Sequence, residues 1–352
     1  MISLAGREDD WTTFDTLNTL RFGREGVPFA HTIVLQLRRG GTVLAPAARE
    51  LAGRNDPELF HAADDVALFL QDLPSAEKLL QLGTSPDRAV AFRDSSYRRL
   101  ALLHMGQGRW SEAKADLSRT SQPAARLRRA FYASLPFAGV IPAELEAIRH
   151  ELEVWDPAAD PPPPASPLDA ALTPHLRHWL LGLLDLRLGA GSRAVARAAE
   201  LDRLAVAPGA RPVVRSMGQT LRAASAAQQG RPAEALRMLE PVRGEVPASL
   251  LRLSYYAEEP ARYLRAELLQ RLGRDGEALE WLRYGFADTP TEPAYLAPLH
   301  LHQGEIYERL GERKKAAEQY ERFLHLWQHC DPALQAVVGD ARSRLARLVA
   351  EP

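Results

Sequence analysis

One cysteine, Cys330, occurs in 352 residues, so neither an internal disulfide nor a cysteine-rich zinc site can form. No apolar run approaches the ~18 residues a membrane-spanning helix needs, and no membrane partner is expected. Lysine is scarce, at Lys78, Lys114, Lys314 and Lys315, and arginine supplies the other 40 of the 44 basic residues. Asparagine occurs only as Asn18 and Asn55. No sign of charge dominates: the net charge is −1, which speaks against a protein that coats nucleic acid, and no nucleic-acid partner is expected. The start, MISLAGREDDW, has no basic opening and no apolar core before Asp9 and Asp10, so it does not read as a secretory signal and the expected compartment is the cytoplasm. Phosphate-binding loops, Gly-x-Ser-x-Gly elbows and His-Glu-x-x-His motifs are missing too; the pairs Gly106/Gly108 and Gly189/Gly191 lack a following Gly-Lys-Ser/Thr. What remains is an ordinary folded composition, 46% hydrophobic and 25% charged. At roughly 150 residues per domain the length suits two domains, or one elongated array of repeats.

A repeat is present. At the C-terminal end a first helix carries Gly304 and Tyr307, Gly311 breaks it, and a second helix carries Ala316 and Tyr320 before Asp331-Pro332 stops it. Small residues let two helices cross closely, the tyrosines fill the space beside them, and glycine supplies the turn. The same grammar recurs at Ala266, Gly273, Ala278; at Ala223, Gly230, Ala235; at Gly182, Gly189, Ala194; and at Ala101, Gly108, Ala113. In all five the turn glycine precedes the second helix's alanine by five residues. Weaker hairpins read at 123–155, with a turn near Ala138-Gly139 and a second helix from Pro142, and at 57–83, turning near Leu73-Pro74. Residues 28–57 suit either a helical hairpin or a β-hairpin around Gly40-Gly41. The helical neighbours favour helix. DPAADPPPPASP, 156–167, is an extended polyproline stretch, read as a stiff surface loop in preference to a ligand for a proline-binding domain.

These hairpins resemble the tetratricopeptide repeat, W-x2-L-G-x2-Y then A-x3-F then P, best at Gly304 and Tyr307, at Ala316 and Tyr320, and at Leu181-Gly182. His178 and His300 stand at the tryptophan position and Asp185 at a tyrosine position. From Gly189 onward the turn glycines are 41, 43 and 38 residues apart instead of 34. The resemblance implies an all-α, TPR-like α-solenoid, a right-handed superhelix of antiparallel helix hairpins, closed by a C-terminal capping helix. Its expected divisions are 1–56, a divergent helical region; 57–155, N-terminal hairpins; 156–167, the proline-rich loop; 168–332, the C-terminal array; and 333–352, the cap. From about residue 86 the chain is also similar to the C-terminal repeat regions of bacterial Ser/Thr kinases and transcriptional activators. It has no His-Arg-Asp or Asp-Phe-Gly signature and no recognisable winged-helix reader.

Side chains capable of chemistry are thinly spread. His325 and His329, four apart beside Cys330, and His300 and His302 could be imagined around a metal, but nothing makes them converge, and they are read as an incidental solvated cluster. His175 and His178 are read the same way. No metal and no cofactor is expected. Arg126, Arg128 and Arg129 form the most basic stretch and are read as an exposed helix edge. An enzyme hidden near the N-terminus would need Asp9, Asp10, His31 and Asp56 to converge, which is disfavoured.

Function is therefore expected in the groove formed by the first helices. The residues turned away from the second helices are Trp179, Leu183, Leu186 and Arg187; Tyr263, Glu267, Gln270 and Arg271; and Leu301, Glu305, Glu308 and Arg309. Trp179, Arg187, Tyr263, Glu267, Arg271, Leu301, Glu305 and Arg309 are the candidate binding residues. Leu183 and Leu186 suit core better than groove. Such a surface suits a protein or peptide segment with apolar anchors and mixed charge. The expectation is a non-enzymatic scaffold or adaptor in bacterial signalling or regulation; the alternative is a regulator whose array closes around a small effector or signalling peptide. The Lys/Asn/Arg clamp that related arrays use for a C-terminal carboxylate is absent, because no asparagine follows Asn55. The oligomeric state is not readable from the sequence.

Overall fold

A computed structural model describes residues 10–22, 29–40, 56–120, 122–162, 164, 166–242, 246–250, 253–256, 258–284 and 291–350. Among them there are seventeen α-helices and no strand. The chain forms two compact units, Met1–Gln107 with Ser111–Thr120, and Gly108–Trp110 with Ser121–Pro352.

The first unit contains α1 (Trp11–Phe22), α2 (Phe29–Arg38), α3 (Glu58–Phe69), α4 (Leu73–Leu82), α5 (Val90–Gly106) and most of α6 (Trp110–Ser118). Residues 29–38 are helical, as the neighbouring segments suggest; the remainder of the possible β-hairpin, 41–55, lies outside the described residues. Phe14 anchors this unit, buried edge-on against Trp11, His31 and Phe69. Buried His104 of α5 lies 2.8 Å from Asp116 of α6 and 3.4 Å from Glu77 of α4, which ties three helices together.

The second unit runs through α7 (Gln122–Ser134), α8 (Pro142–Val154), α9 (Pro167–Arg187), α10 (Gly191–Arg203), α11 (Arg211–Gln228), α12 (Pro232–Leu239), α13 (Glu259–Arg271), α14 (Asp275–Tyr284), α15 (Glu292–Arg309), α16 (Arg313–Leu326) and α17 (Gln335–Ala350). Prolines open many of these helices. Pro142, Pro167, Pro212, Pro232, Pro260 and Pro293 occupy first-turn positions, where the missing N–H has no intrahelical acceptor to lose. Ser166 caps α9 by accepting the Asp169 N–H at 3.1 Å. The proline-rich stretch ahead of it falls within this unit.

The repeat grammar appears as geometry. Gly108, Gly189, Gly230, Gly273 and Gly311 have φ between +69° and +75°, where a Cβ would be strained. The alanine five residues on is fully buried in each hairpin. The small residue seven before the glycine is buried too, and at two positions nothing larger fits: a Cβ on Gly182 would meet Leu221 at 2.5 Å, and one on Gly304 would meet the Tyr320 ring at 2.8 Å. The extra residues beyond a 34-residue period lie in long first helices, 21 residues in α9 and 18 in α11 and α15, and in the connections between hairpins.

Each junction between hairpins has a donor of its own. Arg177 of α9 donates to the Leu152 carbonyl of α8 at 3.1 Å and to that of Glu153. Arg222 of α11 donates to Ala198 of α10 at 3.3 Å. Arg265 of α13 donates to Leu239 of α12 and to Val242 at 3.2 Å, and lies over the Trp281 ring. Gln303 of α15 donates to Leu282 of α14 at 3.2 Å. Four of these carbonyls, of Leu152, Glu153, Leu239 and Leu282, belong to the closing turns of second helices, which lack intrahelical partners. At the end of the array α17 packs on α16, and Arg313 donates to Leu348 at 2.8 Å. The fold is all-α, of TPR-like hairpins, with a C-terminal helix in the capping position.

The Tyr320 hydroxyl donates to Glu308 at 2.7 Å, so its ring cannot swing away from a new Cβ. Gly304→Ala is therefore expected to destabilise the protein by about 1–3 kcal/mol through overpacking. Gly339→Ala, in α17 with nothing within 4 Å, is expected to stabilise by up to about 1 kcal/mol. Urea denaturation of both variants checks this, and equal effects would show that the ring has room.

Candidate functional site

A groove of about 320 Å³ crosses the C-terminal halves of α9 and α11 and runs along the length of α13. Its floor is aliphatic: Leu183 and Leu186 of α9, Ala224 and Ala227 of α11, and Leu264 of α13. Arg187, Glu267 and Arg271 bring charge to it, and Ser134, Leu135 and Pro136, at and after the end of α7, form one wall. A larger hollow of about 540 Å³ at the start of α11 mixes Arg211 and Arg215 with Glu240 and Glu258 and has no leucine or alanine floor.

The charges in the groove are not paired with one another or with a neighbour. Among the described residues no carboxylate lies within ion-pair distance of Arg187 or Arg271, and no basic group lies within that distance of Glu267. Burial lowers the Arg187 guanidinium, whose Nη1 and Nη2 donate to the carbonyls of Pro136 at 2.5 Å and Ala138 at 2.8 Å. Burial also raises the Glu267 carboxyl, with His302 and Arg271 opposing the rise. By contrast, Arg309 is committed to Asp275 at 2.5 Å, and Arg193 to Asp185 at 2.9 Å.

Beside the groove runs a relay of polar groups. Tyr263 Oη and His302 Nε2 are 2.8 Å apart, His302 Nδ1 and Gln270 Oε1 2.9 Å, and Gln270 Nε2 donates to Glu305 Oε2 at 3.0 Å. The pattern is self-consistent with the imidazole proton on Nδ1, the Tyr263 hydroxyl donating to Nε2. Burial acts to raise Glu305, but hydrogen bonds and charge from His302, with Gln270 and Arg344, outweigh it and hold the carboxyl below its ordinary range. Burial pushes the Tyr263 phenol well up.

The structure sorts the candidate binding residues. Arg187, Tyr263, Glu267 and Arg271 come together around the groove, with Leu183 and Leu186, which are buried and also form its floor. Glu305 joins through the relay. Trp179 does not face the groove: it is buried, and its indole donates to the Tyr255 carbonyl at 3.1 Å. The turn Ser254–Tyr256 covers this part of α9, with Tyr256 Oη donating to Asp169 Oδ1 at 2.7 Å. Leu301 is half-buried and Arg309 exposed, and neither lines the groove. Sequence reasoning missed Ala224, Ala227 and Gln228 of α11, although their distance from Gly230 would have placed them. It also missed residues 134–138 and Ser254–Tyr256, which carry no repeat signal.

Other candidates find structural roles. His325 and His329 are exposed, whereas His300 and His302 are packed and hydrogen-bonded instead of solvated. His175 is buried and His178 half-buried. Cys330 is buried, which pushes its thiol up, and Gln335 donates to its Sγ at 3.4 Å. Arg126 and Arg129 are engaged by Glu151, and Arg126 by Asp160 at 2.8 Å. Asp10 caps α1 through the Thr13 N–H, Asp56 caps α3 through the Glu58 N–H, and His31 faces Asn18 and Asp65. Those three positions do not form a common site, and Asp9 lies outside the described residues. Among the described residues no group of three His, Cys, Asp or Glu is placed to hold a metal, and no helix is long and apolar enough to cross a membrane.

The tetratricopeptide repeat family matches residues 300–327. Two solved structures resemble the chain. A tetratricopeptide repeat protein from Parabacteroides merdae is 16% identical, with 84% of this chain and 100% of that one covered and a TM-score of 0.40. The TPR domain of P58(IPK) is 15% identical, with 92% and 99% covered and a TM-score of 0.31. Among curated protein sequences nothing matches.

His300, at the tryptophan position of its repeat, pairs through Nδ1 with Gln319 Oε1 at 2.7 Å, and burial pushes its imidazole down from 6.5 to about 4. The unfolded chain takes up this proton near pH 6.5 and the folded chain only near pH 4. The unfolded state therefore binds more protons between those values, and stability falls as the pH drops through the window. The share carried by His300 is about 2–3 kcal/mol between pH 7 and pH 4.5. In denaturant titrations at the two pH values His300→Gln is expected to lose less than the wild type by that amount. Identical acid sensitivity would remove His300 as the cause.

Proposed function

We propose that the chain is a non-enzymatic protein-interaction scaffold that receives a segment of a partner protein in the groove across α9, α11 and α13. The observation that carries this reading is the combination of an aliphatic floor with charges of both signs that have no ion-pair partner among the described residues. Half-buried Glu267 has no such partner to offset its lost solvation, and a basic group on a partner protein restores it, while exposed Arg271 is open to an acidic one. Leucine and alanine on the floor suit aliphatic or aromatic anchors. The groove is open, and its volume lies at the low end for small-molecule sites. Both features favour a peptide segment over an enclosed effector. The resemblance to bacterial signalling repeats supports a place in a cytoplasmic regulatory assembly.

The test is selection of random dodecapeptides on the immobilised chain, followed by fluorescence anisotropy of those retained. Ala224→Arg places a long cation at a half-exposed floor position and leaves the helix crossings untouched. It is expected to weaken binding at least tenfold with an unchanged circular-dichroism spectrum. Retained peptides that are indifferent to Ala224→Arg would overturn the reading.

A further inference from the structure

In a stack of hairpins each unit touches only its neighbours. The turn joining α7 to α8 breaks this rule. It spans seven residues, 135–141, where the next four hairpins use three. It reaches side chains more than a hundred positions on. The Phe137 ring stands edge-on to Tyr295 at 4.9 Å and 76°, and to Tyr263 at 5.6 Å and 69°. Tyr263 in turn meets Tyr295 at 5.5 Å and the His302 ring at 5.4 Å. These partners belong to α13 and α15, whereas the loop's own hairpin adjoins α9. The tyrosines are buried and Phe137 is half-exposed, so the ring enters a preformed seat from the solvent side.

Leu135, Ala138 and Val140 of the loop are buried, and Pro136 at its crest is exposed. Arg187 grips the carbonyls of Pro136 and Ala138. The backbone bonds are all short-range: Leu135 N–H to Tyr132 at 3.2 Å, Ala138 N–H to Leu135 at 3.0 Å, Val140 N–H to Ala138 at 2.8 Å, and Glu144 and Leu145 N–H to Ile141 at 3.0 and 3.1 Å. Gly139 lies against Leu334, which fixes the far end and confines any movement to residues 135–138. Leu135 and Pro136 are also a wall of the groove, so lifting the loop would widen the groove and open the seat together.

We infer that the Tyr263–Tyr295–His302 seat is an anchor site for an aromatic side chain of an extended partner segment, and that Phe137 is the built-in occupant which this segment displaces. The inference rests on the groove reading above. An incoming aromatic reproduces the edge-to-face contacts that Phe137 gives up. Arg187, released from the loop carbonyls, offers the same donors to the backbone of the incoming chain. The surplus needed to win the exchange comes from the part of the groove still open to solvent, half-exposed Ala224 and Leu264 with the charges of Glu267 and Arg271. Self-occupancy lowers the apparent affinity by the fraction of molecules with the seat closed, and removing Phe137 removes that penalty.

The test uses a fluorescein-labelled peptide of the loop sequence Ala-Ser-Leu-Pro-Phe-Ala-Gly-Val-Ile, 133–141, and anisotropy against the full chain. Phe137→Ala is expected to bind it at least tenfold more tightly than the wild type. Phe137→Leu keeps an apolar loop side chain, guards against local collapse, and is expected to fall between them. A peptide with alanine in place of its phenylalanine should lose the gain. Equal binding to all three proteins, or binding to none while all retain their helical spectrum, would overturn the exchange. The peptides selected on the wild-type groove separate the two ideas. If they respond to Ala224→Arg but not to Phe137→Ala, the groove stands and the aromatic exchange falls. If selection yields nothing on either the wild type or Phe137→Ala, both fall.

Discussion

The last turn of a helix presents carbonyls that its own backbone cannot satisfy. In the second unit the following hairpin supplies donors to such groups, from Arg177, Arg265 and Gln303, with Arg222 reaching Ala198 a little earlier along α10. Arg222, Arg265 and Gln303 stand eight residues before a turn glycine, next to the small residue that permits the helices to cross. The neighbouring positions therefore do different work. The small residue sets how closely two helices pack within a hairpin, and the donor beside it ties that hairpin to the one before. Once both are satisfied, the rotation of every first helix is fixed, and so is the set of side chains left over to face the groove.

That constraint explains why the groove has its chemistry. Five residues of α13, Pro260, Tyr263, Leu264, Glu267 and Arg271, line it because Ala266 and Arg265 are committed elsewhere. The same logic turns Leu183, Leu186 and Arg187 inward from α9. Charges that meet a partner across helices, such as Arg309 with Asp275 or Arg197 with Glu153, contribute little specificity to an outside ligand. Among the described residues Glu267 and Arg271 have no such partner, and Arg187 is held only by the Pro136 and Ala138 carbonyls.

The helices and their phase were legible because glycine at the turn and alanine five residues later state a steric requirement that no other residue type meets as well. Four groove residues followed directly from that phase. Trp179 did not, although its phase was right, because burial there depends on Tyr255 and Tyr256, which lie in a connection with no periodicity. The turn near Ala138-Gly139 was legible, but its contacts with Tyr263 and Tyr295 were not, because how the hairpins stack sets them and not local sequence. His300 falls in the sequence among histidines with no reason to converge, which reads as an incidental solvated cluster. In the fold it is packed, and Gln319 satisfies it.

The departures from the consensus are themselves part of the design of the stack. Hairpins of similar shape could pair out of order if their faces were interchangeable. Asp185, at a tyrosine position, is wholly buried between Arg193 and Arg197, and Arg197 also holds Glu153 of the preceding hairpin at 2.6 Å. Burial raises the Asp185 carboxyl even so, with the arginines opposing the rise, so the cluster adds little to stability. Its effect is on order. Glu259 with Thr291 marks another junction in the same way with different chemistry. A wrong neighbour at any of these places would leave a buried charge or hydroxyl unmatched, which costs more than the right neighbour gains. Irregular polar pairs at the junctions thus select a single order for hairpins that the glycine and alanine pattern alone would leave alike.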